Sequence, residues 1–123
     1  TTDTYIYGNL NVTGQIKLNN AVLSKSATYA FQTTDNANLL VFSGSTAGQT
    51  ITLPSAITVG AGREITIKNI ASVSVSVASA AGNLISDSTT TGATSLSIGV
   101  EPSNNWIKAI STGANWIILR ALF

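Results

Sequence analysis

Residues 49–70 read QTITLPSAITVGAGREITIKNI, and this stretch decides the fold class. In its first part Ile51 and Leu53 alternate with threonines, which is the period-two pattern of a strand with one buried face. Pro54 ends that strand, because proline has no N–H group to donate to a β-ladder. Residues 60–62, Gly-Ala-Gly, permit backbone angles that other residues resist, so they predict a turn.

A second strand is predicted to begin at Arg63. Its alternation places Ile65 and Ile67 on the buried side, while Glu64, Thr66 and Lys68 point outward. The stretch is therefore interpreted as a strand, a wide connection and another strand, and no part of it shows a helical period.

The rest of the chain repeats this pattern of short strands and turns. A continuous apolar run at 39–42 predicts a strand that is buried on both faces, and residues 82–93 are expected to form a loop that Leu84 and Ile85 anchor to the core. We count about ten short strands and no helix, which predicts an all-β sandwich or a jelly-roll-like head. Further strands are predicted at 29–31, 73–77 and 96–100, and a final hairpin at 106–110 and 116–119, around a turn at 111–114.

Composition excludes several classes of function. The chain has 123 residues, which suits one domain with an appendage, and only 9% of them are charged, with a net charge of +1. A basic stripe for nucleic acid is absent, so no nucleic-acid partner is expected. No apolar run approaches the roughly 20 residues of a membrane span, so no membrane insertion is expected. So few charges suggest that neighbouring chains cover part of the surface.

The chain offers little chemistry for catalysis. It has no His and no Cys, so common nucleophile pairs, proton shuttles and zinc sites cannot be built. A glycosidase needs two carboxylates across one sugar; Glu64 and Glu101 are candidates, but Glu64 beside Arg63 is better interpreted as a solvated charge pair. Asp87, among hydroxyl side chains, is a weak candidate for calcium and fits an ordinary surface loop equally well. We expect no enzyme activity, no cofactor and no metal.

Residues 8–20, GNLNVTGQIKLNN, form two short alternating runs around a turn at Thr13 and Gly14. One interpretation is an ordinary β-hairpin of a monomeric sandwich. The second interpretation follows from a resemblance. This sequence pattern is similar to the last repeat of a phage fibre shaft, in which three chains wind around one axis. A repeat unit this short needs neighbours to bury its apolar side. The absence of Met further suggests that the chain is part of a longer protein.

The pattern of residues 50–54, 60–69, 73–77 and 115–119 resembles the C-terminal head domain of bacteriophage tail fibres and related tail receptor-binding proteins. These motifs indicate the fold of the domain and do not indicate a reaction or a ligand. The resemblance implies a homotrimer that attaches a virion to bacterial surface polysaccharide or lipopolysaccharide. It also implies a place in the tail fibre of the virion, after synthesis in the cytoplasm of the bacterial host. We expect residues 1–28 to be the end of the shaft and neck, and residues 29–123 to be the globular head.

Two other functions are compatible with the same sequence. One is a structural module that trimerises and caps a fibre without a receptor site of its own, and the other is a secreted bacterial lectin-like module. If the head binds a glycan, an exposed aromatic side chain beside amides is the expected platform, because a sugar stacks its C–H groups on an aromatic face. Either tryptophan can instead be a core or interface residue, and Trp106 is the better ligand candidate. The predicted receptor-binding residues are Asn104, Asn105, Trp106, Asn83 and Asp87.

Overall fold

The computed structural model describes residues 3–15, 21–80, 82–86, 91–100, 102 and 105–120. Within these residues the chain is all-β, with two sheets and a single short helix. The strands are β1 (Val22–Lys25), β2 (Tyr29–Ala30), β3 (Leu39–Phe42), β4 (Thr50–Thr52), β5 (Glu64–Asn69), β6 (Val75–Ala78), β7 (Ile85–Ser86), β8 (Ser95–Ile98), β9 (Trp106–Ser111) and β10 (Trp116–Leu119); the helix is α1 (Ala56–Val59).

The first six strands alternate between the two sheets. β1, β3 and β5 lie side by side and parallel in a six-stranded sheet of order β1-β3-β5-β9-β10-β7, and β2, β4 and β6 do the same in a four-stranded sheet of order β2-β4-β6-β8. β8 then pairs antiparallel with β6, and β9 pairs antiparallel with both β5 and β10. Jelly rolls and immunoglobulin-type sandwiches are antiparallel throughout, so the parallel half distinguishes this topology from both.

The core lies between the sheets and is built from the inward residues of the alternating strands. Ile65 and Ile67 of β5 are completely buried, as predicted, and so are Ile51 and Leu53 around β4. Full burial of an Ile or Leu side chain stabilises the fold by roughly 1.5–3 kcal/mol each. The other buried apolar side chains of the core are those of Phe31, Leu40, Phe42, Ala56, Ala71, Val75, Val77, Ile85, Ile98, Ile107, Ala109, Trp116 and Ile118.

The connection after Pro54 contains one helical turn, contrary to the expectation of no helix. Ser55 caps it by accepting a hydrogen bond from the N–H of Thr58 at 3.3 Å, and the helix ends at Gly60, whose φ of 84° is in the left-handed region. Three β-branched residues, Ile57 to Val59, conceal the turn in the sequence, because such residues favour strands. Four residues are also too few to display a helical period.

Three further expectations need correction. β3 is buried on one face only, since Leu40 and Phe42 are buried and Leu39 and Val41 are half-buried. Residues 82–86 and 91–93 are not wholly a loop, because β7 lies there, parallel to β10. Ile85 anchors this segment in the core as expected, whereas Leu84 is 41% exposed.

The N-terminal segment 3–15 contains no strand, and every residue in it is exposed. Its expected partner run, residues 16–20, lies outside the described residues. The first element of the folded part is β1, which pairs with β3 over four residues, from Val22 opposite Leu39 to Lys25 opposite Phe42. β1 therefore belongs to the same sheet as the strands of the expected head.

We expect deletion of residues 1–20 to lower the melting temperature while leaving a folded, β-rich domain. The deletion spares β1 and every buried core residue, so the core retains its contacts. Circular dichroism should show the same strand content, and thermal melting should remain cooperative. A matched deletion of residues 1–26 also removes β1, and it should destabilise the domain further. If the first deletion alone prevents folding, the N-terminal segment is part of the domain.

Candidate functional site

One tryptophan is buried and the other is exposed, because they occupy inward and outward positions of their strands. Trp116 begins β10 on the inward side, is fully buried, and donates its indole N–H to the carbonyl of Pro54 at 3.1 Å. Trp106 begins β9 on the outward side, opposite Lys68 of β5, and is 39% exposed. Trp116 is therefore a core residue, and the indole of Trp106 is accessible on the outer face of the six-stranded sheet.

Asn105 fixes the backbone immediately before Trp106. It is 5% exposed, and its carbonyl accepts the N–H of Asn69 at 2.7 Å. No described residue offers an acceptor to its buried side-chain nitrogen. Only its backbone and its packing are engaged in the described part of the chain, and the amide is not presented to solvent beside the indole.

Asn69 ties this end of the sheet to the neighbouring segments. Its side-chain nitrogen donates to the carbonyls of Val73 and Gly99, both at 2.8 Å, and its side-chain oxygen accepts the N–H of Ala71 at 2.9 Å. A buried amide that satisfies these groups holds three chain segments together. The hydrogen bond from its N–H to Asn105 then joins Trp106 to the same network.

Asn83 performs a structural task at the other end of the sheet. It is 3% exposed; its side-chain oxygen accepts the N–H of Ala56 at 2.9 Å, and its side-chain nitrogen donates to the carbonyl of Ala114 at 3.2 Å. It thus ties the start of α1 to the β9–β10 turn. β9 runs from Trp106 to Ser111, about 17 Å along the strand, so Asn83 and Trp106 are not brought together.

The remaining two predicted receptor-binding residues, Asn104 and Asp87, lie outside the described residues. So does Glu101, one of the two carboxylates considered for a glycosidase. The other, Glu64, forms an ion pair with Lys108 at 3.0 Å. The expected pair with Arg63 is wrong: the Arg63 guanidinium donates to the Asn38 side chain and to the carbonyls of Asp35, Ala37 and Glu64.

A polar cluster that the sequence did not predict surrounds Asp35. Its carboxylate accepts the Tyr29 hydroxyl at 2.6 Å and the N–H of Gln32 at 2.8 Å, and the Lys25 ammonium lies 3.9 Å from the centre of the Tyr29 ring. The hydrogen bond from Tyr29, followed by that from Gln32 and the charges of Lys25 and Arg63, lowers the pKa of Asp35. The same bond raises the pKa of Tyr29. The two hydrogen bonds to Asp35 hold the β2–β3 connection in place.

Among the described residues no group of three or more His, Cys, Asp or Glu side chains is arranged to hold a metal ion. Nor does that part of the chain include a helix with the length and apolar character needed to cross a membrane. Comparison with family models, with curated protein sequences and with solved structures found no match.

We expect Asp35→Asn to lower the melting temperature at pH 7 and to flatten its dependence on acid pH. The folded-state pKa of Asp35 is lowered, so its contribution to stability is present above the unfolded pKa of about 3.9. That contribution is lost as the pH falls through the folded pKa. Melting curves from pH 2 to 7 should therefore converge for the two proteins at the acid end.

Two further variants make this test specific. Tyr29→Phe removes the hydroxyl and keeps the ring under Lys25, so its effect should overlap with that of Asp35→Asn in the double variant. Asp3→Asn, in the exposed N-terminal segment, is the control carboxylate and should leave the melting curves unchanged. Additive effects of the first two variants would contradict the assigned hydrogen bond.

Proposed function

We propose that this chain is the head domain of a bacteriophage tail fibre and that, as a homotrimer, it attaches the virion to polysaccharide or lipopolysaccharide of the bacterial surface. The observation that carries the proposal is the exposed segment 3–15 in front of a folded two-sheet domain. Tyr5, Ile6, Tyr7 and Leu10 are each more than half exposed, up to 95% for Tyr7. Apolar side chains at this density call for neighbouring chains, which a trimeric shaft supplies.

Recognition is assigned in this proposal to the end of the head that carries Trp106. Its exposed indole offers an apolar face to a sugar ring, and the Asn69–Asn105 network holds it in place before any ligand arrives. A rigid aromatic platform lowers the ordering cost of binding. Asn104 stays in the proposed site on the evidence of its sequence position, and so does Asp87 as a loop contact. Asn83 is left out because its amide is buried and engaged.

Three equal sites on one head, and several fibres on one particle, make attachment multivalent. Linked weak sites reach an avidity that exceeds the single affinity by roughly 10²–10⁴ without any new contact. A modest contact at Trp106 is therefore sufficient for attachment. The proposed place of action is the virion, after synthesis in the host cytoplasm.

The second candidate function is a trimerising and capping module without its own receptor site. It is favoured by the burial of Asn83 and Asn105, two of the predicted ligand amides, at 3% and 5% exposure. Labelled protein that adsorbs to host cells supports the receptor-binding head, whereas a stable trimer that fails to adsorb supports the capping module. A glycan array then identifies the sugar.

We expect light scattering to give about three times the 12.6 kDa chain mass at micromolar concentration. The expected reason is that three chains cover one another's exposed apolar side chains. The mass should not change on dilution across the micromolar range. A monomer would contradict the fibre proposal and favour the secreted lectin-like alternative.

We expect Trp106→Ala to weaken adsorption to host cells by about tenfold or more, because a lost stacking contact of about 1.5 kcal/mol corresponds to that factor. The measurement is the adsorption isotherm of labelled protein. Ile70→Ala is the matched control, since Ile70 follows the same Asn69 network and is 56% exposed.

Mass and circular dichroism of the Trp106→Ala variant must match those of the unaltered protein for the result to concern recognition. Dissociation would place Trp106 in an interface between chains. Normal adsorption by an intact trimer would move the site elsewhere, with the segment around residues 82–92 as the next region to mutate.

A further inference from the structure

The outer faces of the two sheets differ sharply in chemistry. On the four-stranded sheet the outward positions are small or hydroxylic, namely Thr50, Thr52, Ser76, Ala78, Ser95 and Ser97. Such a face suits contact with water. On the six-stranded sheet six outward positions are large and aliphatic, namely Val22, Leu39, Val41, Ile110, Ile117 and Leu119, and we call them the apolar outer face. The same side of the sheet also carries Ser24, Glu64, Thr66, Lys68, Ser86, Trp106 and Lys108.

Register places these side chains in continuous rows across the sheet. One row runs from Val22 through Leu39, Thr66 and Lys108 to Leu119. The next contains Glu64, Ile110 and Ile117. Val22, Ile117 and Leu119 are 60%, 47% and 50% exposed, so none of the residues that the structure describes covers these three side chains.

The two charges within these rows, Glu64 and Lys108, are paired with each other, and Lys68 lies in the neighbouring row. Glu64 and Lys108 form their 3.0 Å ion pair between the two rows, in the middle of the face. A partner that covers this region therefore does not need to supply a compensating charge, and a charged partner gains little there. A second apolar surface with the same internal pairing fits this chemistry.

The size of the face also indicates its partner. Across five strands there are twelve outward positions, two each on β1, β3 and β10 and three each on β5 and β9. With strands about 4.8 Å apart and outward positions about 6.8 Å apart along each strand, they give a flat area of about 390 Å². A stable protein interface takes about 800 Å² from each partner. The face supplies about half of this, and the exposed segment 3–15 of the same chain offers further apolar surface.

We propose that copies of this chain pack their apolar outer faces against one another around a common axis, so that β9 and β10 lie at the interface and the four-stranded sheet faces outward. This inference rests on the homotrimer of the proposed function and assigns the surface that forms it. Another copy is the occupant because it brings a matching apolar face, an internally neutralised ion pair and a second N-terminal segment. Trp106 lies at the rim of the face, at the start of β9, where a ligand can still reach it.

The test places one carboxylate on each outer face and measures the mass by light scattering. Ile117→Asp puts a charge in the apolar outer face, and we expect the mass to fall from three chains to one. Ser97→Asp puts the same charge on the other sheet, at an exposed mid-strand position, and we expect it to remain trimeric. Circular dichroism checks that both variants keep their strand content.

Cysteine labelling gives a second measurement that does not depend on a disruptive charge. The chain has no cysteine, so a single introduced thiol reports on one position only. In the assembled protein, Leu119→Cys should react with a maleimide about tenfold more slowly than Ser97→Cys. A thiol covered by the interface reacts only in the fraction of molecules whose interface has transiently opened. Under conditions that dissociate the assembly the two rates should become similar.

The outcomes separate this inference from the proposed function. A trimeric Ile117→Asp variant, or equal labelling rates at 119 and 97 in the trimer, overturns the assigned face and leaves the trimeric fibre head standing. A trimeric Ile117→Asp variant that no longer adsorbs to cells overturns it as well, and makes the face a receptor surface. An unaltered chain that is monomeric overturns both. A trimer that dissociates on Ile117→Asp supports the face even if the unaltered protein does not adsorb to cells.

Discussion

Strand β5 at the centre of the six-stranded sheet is the constraint on which the rest of the structure depends. Its inward residues Ile65 and Ile67 are fully buried, and it pairs with β3 on one side and β9 on the other. β5 is thus the strand at which the parallel pairing of β1, β3 and β5 gives way to antiparallel pairing with β9. At its end, Asn69 links the strand to Ala71, Val73 and Gly99 through its side chain. Loss of either the isoleucines or the asparagine therefore affects both sheets at once.

Much of this arrangement could be predicted from period-two alternation alone. The buried sides of β4, β5 and β6, the final hairpin and the turn at 60–62 all follow from local sequence, because side-chain direction along a strand is a local property. The sheet order does not follow from it. Parallel and antiparallel strands need different connections but show the same alternation of side chains. The alternation within β1, β3 or β5 therefore does not predict that these strands pair in parallel.

The candidate site shows the same division between local and non-local information. The alternation of inward and outward positions along β9 and β10 places Trp106 on the outside and Trp116 in the core. The sequence predicts both strands, so it contains the information that distinguishes the two tryptophans. The burial of Asn83 was not available, because its partners Ala56 and Ala114 are 27 and 31 residues away in the sequence. An asparagine in a loop is expected to be exposed. Only the tertiary fold shows that the Asn83 side chain is buried and connects the start of α1 to the β9–β10 turn. The pairing of Asp35 with Tyr29 spans only six residues, but the sequence of this connection indicates only a turn and not which side chains meet in it.

β1 determines how a mechanical load enters the domain. Tension arriving from the chain before Val22 reaches the core through the ladder that β1 forms with β3, from Val22 opposite Leu39 to Lys25 opposite Phe42. A pull along the strand loads the hydrogen bonds of that ladder in shear, so that they resist together and do not open one at a time. Leu23 of β1, which packs against the core cluster, must also leave its contacts before the strand is released. A strand at the edge of its sheet is thereby suited to serve as the tether of the domain.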